Sequence, residues 1–118
     1  MKTLMIAAAL AAMTPAAALA ADLSGAWKLN LDIGGMMIPL NCTFTQTGGA
    51  LGGTCDGADG KPTAVKGAVD GTKITWTYDT TFQDMPMHVA YTGEVKPDNT
   101  VAGTVDASGN AGTFTGGK

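Results

Sequence analysis

Arginine is absent from this 118-residue chain, histidine occurs once, at His88, and cysteine only at Cys42 and Cys55. Beyond residue 20 no apolar run approaches the ~20 residues of a membrane-spanning helix, and no stretch keeps a helical period. Each absence removes a class of function. Ten carboxylates stand against seven lysines, a formal net charge of −3, and the charges are scattered rather than gathered on one face. Nucleic acid, which selects a basic stripe or patch, is therefore not an expected partner. The acids Asp56, Asp59, Asp70, Asp84, Asp98 and Asp106 fall in or beside turns, so no pair converges for general acid-base work. With one histidine and two cysteines that pair with each other, a nucleophilic scheme lacks its parts, and no enzyme is expected. The many glycines precede no helix, so they form no phosphate-binding loop and imply no nucleotide cofactor. No cofactor is expected.

What is present begins with an export leader. Lys2 precedes an apolar run from Leu4 to Ala12, and the small-residue site Ala18-Leu19-Ala20 follows before Ala21-Asp22. Residues 1–20 read as a signal peptide, residues 21–118 as one domain, and the destination as periplasmic or secreted. A domain of this size has a modest core. A covalent staple suits both the size and an oxidising compartment.

The staple is written into Leu40 to Gly57, which reads as a hairpin around Gly48-Gly49. With that turn, Thr47 faces Ala50, Phe44 faces Gly53, and Cys42 faces Cys55 at a non-hydrogen-bonded site, where Cα atoms come closest. A Cys42–Cys55 disulfide is expected there. Period-two alternation extends this reading along the chain. Trp27, Leu29, Leu31 and Ile33 share a face. Around Gly34-Gly35 they pair with Cys42, Leu40 and Ile38. Later strands turn Val65, Gly67 and Val69 inward, then Ile74, Trp76, Tyr78 and Phe82, then Met85, Met87, Val89, Tyr91 and Gly93, then Val101, Gly103 and Val105, and finally Gly112 and Phe114. The connections are expected at Asp70-Gly71, Gln83-Asp84, Pro97-Asp98-Asn99 and Ser108-Gly109. Each can keep one face inside, which matters because a one-residue slip would invert the next strand. The expected fold is all-β, an eight-stranded antiparallel up-and-down (meander) barrel with one hairpin disulfide.

Ignoring shear, counting pairs round this barrel places Gly25, Phe44, Gly53, Gly67, Ile74, Gly93, Gly103 and Phe114 at one plugged level. An opening is then expected at the other end, where two long apolar hairpins face each other. They carry Met36, Met37, Met85 and Met87, and methionine suits adaptable apolar surfaces. Leu31, Ile33, Met36 and Ile38 would face Phe82, Met85 and Met87, with Tyr78 and Trp76 below, as a site for an apolar small molecule or protein segment. Two other readings use the same residues. The hairpins could cap a filled core and contact another protein, or Met85, Met87 and His88 could hold Cu(I), although alternation points His88 away from the two thioethers.

Ser24-Gly25-Ala26-Trp27 and Leu51-Gly52-Gly53-Thr54-Cys55, with Thr75-Trp76 and Tyr91-Thr92-Gly93, resemble the strands of avidin-like and lipocalin-like small β-barrels. The resemblance implies a barrel but departs where biotin would be held. Leu29 stands at the position of the asparagine that follows the tryptophan in such proteins, and Cys55 at that of their tyrosine. The chain as a whole resembles small exported proteins of Gram-negative bacteria whose role is uncharacterised. These features together lead us to expect a non-enzymatic binding module, or failing that an interaction domain.

Overall fold

A computed structural model describes residues 22–118, and the expected leader at 1–20 lies outside the described residues. Among the described residues there is no helix; nine strands carry the fold. They are β1 (Gly25–Ile33), β2 (Met36–Thr47), β3 (Ala50–Asp56), β4 (Pro62–Ala64), β5 (Lys66–Asp70), β6 (Lys73–Phe82), β7 (Met85–Val95), β8 (Thr100–Ala107) and β9 (Asn110–Gly117). β4 and β5 are two pieces of one wall strand interrupted at Val65, whose N–H still donates to the Gly53 carbonyl of β3 at 2.9 Å. Every neighbour is antiparallel, and β9 pairs back onto β1. The result is a closed eight-stranded antiparallel barrel, in which β4 pairs with β3 but not with β6, so the wall ladder is interrupted beside it.

Short turns set most of the registers. Gly34 and Gly35 carry φ of 62° and 83° between the pair Ile33 and Met36, as a two-residue hairpin twisted like its strands requires. Gln83 and Asp84 adopt φ of 52° and 63° between Phe82 and Met85, and Ser108 has φ of 49° between Ala107 and Asn110. At Pro97 to Asn99 the loop has three residues, with Asn99 at φ 65° and the Lys96 N–H donating to the Thr100 carbonyl at 2.7 Å. Cys42 and Cys55 lie opposite each other and are bonded, with Cα atoms 4.0 Å apart.

Two registers differ from expectation by two residues. The β5–β6 turn is Gly71-Thr72, closed by Asp70 against Lys73, so Gly67 lies opposite Trp76 rather than Ile74. On the other flank Cys55 faces Thr63, and Leu51 faces Gly67. Because two is a whole pleat, every side chain keeps its face and only its height changes. The single level expected of eight residues is therefore split. Ile74, Gly93, Gly103 and Phe114 do form one row, and Gly25, Phe44 and Gly53 another, but Gly67 belongs with Trp76, Tyr91, Val105 and Gly112. Continued across β1, that last row passes Ile33 and reaches Met36, while its other end, Leu51, faces Gln46. The ring thus closes ten residues along β2, from Met36 to Gln46. Such a stagger tilts the strands against the barrel axis.

The inward residues fill one half of the barrel. Trp76, 0% exposed, stacks on Tyr91 with ring centroids 4.4 Å apart and meets Phe44 and Phe114 edge-on at 5.1 and 5.3 Å. These rings fit because glycines face them. A Cβ on Gly93 would strike the Phe114 ring at 2.8 Å, and one on Gly103 would collide with the Thr92 carbonyl and with Gly93. Below them Leu23 plugs the closed end. Its N–H donates to Gln46 Oε1 and its carbonyl accepts the Trp27 indole N–H, both at 2.8 Å. The plug was legible as a continuation of the alternation of Gly25 and Trp27, two residues further back. The outward set, including Lys28, Asn30, Asp32, Asn41, Thr43, Thr75, Thr92 and Thr104, is polar and exposed.

Candidate functional site

The Gly34-Gly35, Gln83-Asp84 and Ser108-Gly109 turns share the end opposite Leu23 with the loop between β3 and β4. Inside this end lies a cavity of about 340 Å³ bounded by Leu31, Ile38, Leu40, Tyr78, Met87 and Val89. A neighbouring space of about 320 Å³ shares Ile33, Ile38, Ala58, Met87 and Ala107 with it and reaches out to Met36 and Phe82. Together they form an apolar throat of the size that small-molecule sites occupy.

Seven of the nine residues expected at the mouth line these two spaces: Leu31, Ile33, Met36, Ile38, Tyr78, Phe82 and Met87. Trp76 and Met85 do not. Trp76 lies deeper, under Tyr91, and Met85 projects from the hairpin tip. The rim is unusually apolar: Met36, Met37, Phe82 and Met85 are 65%, 61%, 50% and 68% exposed. The alternation of β7 puts Met87 on the throat and His88 on the outer wall, where its Nδ1 lies 2.7 Å from Asp79 Oδ1. Met85, Met87 and His88 are thus spread over the rim, the throat and the outside, and do not converge as a Cu(I) site.

Sequence reasoning did not foresee the wall contributed by the β3–β4 loop. This loop folds in on itself, with the Gly57 N–H donating to the Lys61 carbonyl at 2.8 Å and the Gly60 N–H to the Gly57 carbonyl at 2.9 Å. It is tied to β6 by the Ala58 N–H, which donates to Thr80 Oγ1 at 3.2 Å. A Cβ at Gly57 would run into both Thr80 Oγ1 and Thr63 Oγ1, so a larger residue would have to displace the hydroxyl that accepts the Ala58 N–H. Leu40, Val89 and Ala107 were inward by alternation and could have been named. The loop carries no periodicity, so nothing in the sequence signals which way it folds.

The floor is polar. The hydroxyls of Tyr78 and Tyr91 are 2.7 Å apart and buried. Burial holds the Tyr78 phenol above its ordinary range despite its hydrogen bond with Tyr91, and pushes Tyr91 further up, with neighbouring Tyr78 adding to the effect. Both rings therefore stay protonated and neutral. The indole N–H of Trp76 is buried below them without a hydrogen-bond partner among the described residues. Asp56 is the one carboxylate on the throat wall, and no lysine lines it. Among the described residues, no group of three or more His, Cys, Asp or Glu side chains is placed to hold a metal.

No family model, no curated protein and no solved structure matches this chain. The functional reading therefore rests on the geometry of the throat.

Proposed function

We propose that this protein is an exported, non-enzymatic binding module that takes an apolar small molecule into the throat between its methionine hairpins. The observation that carries the reading is the apolar throat itself. A small domain that fills its lower half with four interlocked rings leaves about 340 Å³ open above Tyr78, a volume within the range of small-molecule sites. Burying a ligand's apolar surface there would contribute about 25 cal/mol per Å². The flexible thioethers of Met36 and Met87 suit ligands of differing outline.

Location follows from two separate supports. Lys2 and the Leu4 to Ala12 run have the form of an export signal, and the Cys42–Cys55 disulfide belongs in an oxidising compartment. A periplasmic or secreted protein is the reading that joins them. Biotin is not the proposed ligand. Leu29 and Cys55, at the positions that would have to hold it, are both buried, Cys55 within the disulfide.

A second reading is favoured by the rim. All four large apolar side chains that stand half or more exposed among the described residues are at this end, and clustered apolar surface marks contact sites. An envelope protein docking on the hairpins would cover them.

The test is binding of a fluorescent apolar reporter, N-phenylnaphthylamine, to the wild type and to Ala107→Phe, whose ring would enter the space Ala107 now borders. The wild type should bind the reporter, and the variant should lose binding while melting no lower. Absence of binding by the folded wild type would end the small-molecule reading and leave the rim as a protein contact.

A further inference from the structure

We infer that the ligand of this throat is a neutral molecule that leads with a hydrogen-bond acceptor, a carbonyl or ether oxygen, and trails an apolar body; the inference rests on the throat being a ligand site. The reason is a count of protons on the floor. Tyr78 and Tyr91 bring two O–H groups to a single contact of 2.7 Å, and neither hydroxyl has another partner among the described residues. One O–H···O bond uses one proton, because each phenol is both donor and acceptor. The second proton is left over. Tyr78 lines the cavity and Tyr91 does not. The arrangement that satisfies most groups has Tyr91 donating to Tyr78, and Tyr78 donating upward into the throat.

What lies above sets the charge of the acceptor. A carboxylate carried down to Tyr78 would meet no lysine on the throat wall and would pass Asp56. An unpaired anion in such a setting is costly to desolvate. A cationic head would be drawn to Asp56 on the wall, and as a donor without an acceptor it would leave the Tyr78 proton unanswered. A wholly apolar ligand would leave the Tyr78 proton buried and unused, which costs more than never having placed it there. A ketone, ester or ether oxygen answers the donor without bringing a charge. The apolar walls of Leu31, Ile38, Leu40 and Val89 then take the remainder of the molecule.

The experiment compares heptyl methyl ketone, n-nonane and nonanoate by competition against N-phenylnaphthylamine on the purified protein, its Tyr78→Phe variant and its Tyr91→Phe variant. Circular dichroism melts confirm that each variant is folded. The ketone should bind the wild type about tenfold more tightly than nonane, as one buried hydrogen bond allows. Tyr78→Phe should erase that preference while keeping nonane binding. Tyr91→Phe should reduce it less, because Tyr78 retains its own proton. If both nonane and ketone bind equally, and Tyr78→Phe changes neither, the polar floor is not a recognition element although the binding module stands. If nonanoate matches the ketone, the ligand is not selected for neutrality and the inference fails. If the reporter binds but none of the three displaces it, the inference fails while the ligand-site reading stands; if the reporter itself does not bind the folded protein, both fall.

Discussion

Cys42 and Cys55 face each other directly across the β2–β3 hairpin, Cα atoms 4.0 Å apart, with the indole of Trp27 on the neighbouring strand opposite Cys42. The bond closes a short loop, 13 residues from cysteine to cysteine. Its contribution comes mainly from restricting the unfolded chain, and for a loop of this length that is about 3 kcal/mol. The double variant Cys42→Ala/Cys55→Ala should therefore melt lower by roughly 12–24 °C, given the entropy of unfolding of a domain of about 100 residues. A calorimetric scan decides the matter. A melting temperature within a few degrees of the wild type would mean that the packing around Trp27, not the bond, holds this corner.

Gly103 and Gly93 bring two strands together beneath the aromatic cluster, and the same contact explains a sensitivity that composition hides. A Cβ at Gly103 would overlap both the Thr92 carbonyl and the backbone of Gly93. Backbone cannot rotate aside as a side chain can. Gly103→Ala should accordingly cost roughly 1–3 kcal/mol through strand displacement, although alanine is the smallest change available. Urea unfolding followed by tryptophan fluorescence would show it as a lower midpoint. An unchanged midpoint would show that β7 and β8 can separate without loss.

These two cases also show what was readable from the residues alone. Turn chemistry fixes register, so Gly34-Gly35, Gly48-Gly49, Gln83-Asp84 and Ser108-Gly109 placed their strands correctly, the cysteine pair included. Asp70-Gly71 misled because Gly71-Thr72 is an equally short turn one residue on, and the alternation of faces is the same for both. At Gly57 to Lys61 the longer loop leaves register free, and its own backbone hydrogen bonds together with packing of Ala58 and Gly57 on Thr80 select it. The inward or outward sense of a side chain is a local property of the strand. Its height in the barrel is a sum over every turn, and shear is invisible until the ring closes.

Tyr78 and Tyr91 link the site to stability in alkali. Their phenols have raised pKa values in the folded protein, chiefly through burial, and so the fold favours their neutral forms. The contribution is fully present below about pH 10, where tyrosines of the unfolded chain are also neutral, and it is lost as pH rises above that value and the unfolded chain alone ionises. The protein should unfold cooperatively in alkali, with tyrosinate absorbance rising together with the loss of circular dichroism. In Tyr91→Phe the stability should fall less steeply over the same range. Tyrosinate absorbance that appears in full while the fold persists would contradict the buried pair.

The methionines separate into rim and wall, and the two groups should respond differently to the same chemical change. Met36, Met37 and Met85 are more than half exposed, whereas Met87 is partly buried against the core. Replacing the three rim residues by serine should change stability by no more than about 0.5 kcal/mol each, as surface substitutions do. Met87→Ser puts a hydroxyl where a thioether packed and should cost roughly 1–3 kcal/mol. If the throat is a ligand site, reporter binding should fall most in Met87→Ser and only modestly in the rim triple variant. If the hairpins instead dock on a protein, association with that protein should fall most in the rim triple variant, because exposed side chains supply that contact. Native mass spectra give an independent reading. A wild-type dimer that the triple variant abolishes would make the rim an interface between copies, whereas monomers in both cases would rule out self-association and leave the choice between the throat and a different partner protein to the binding assays.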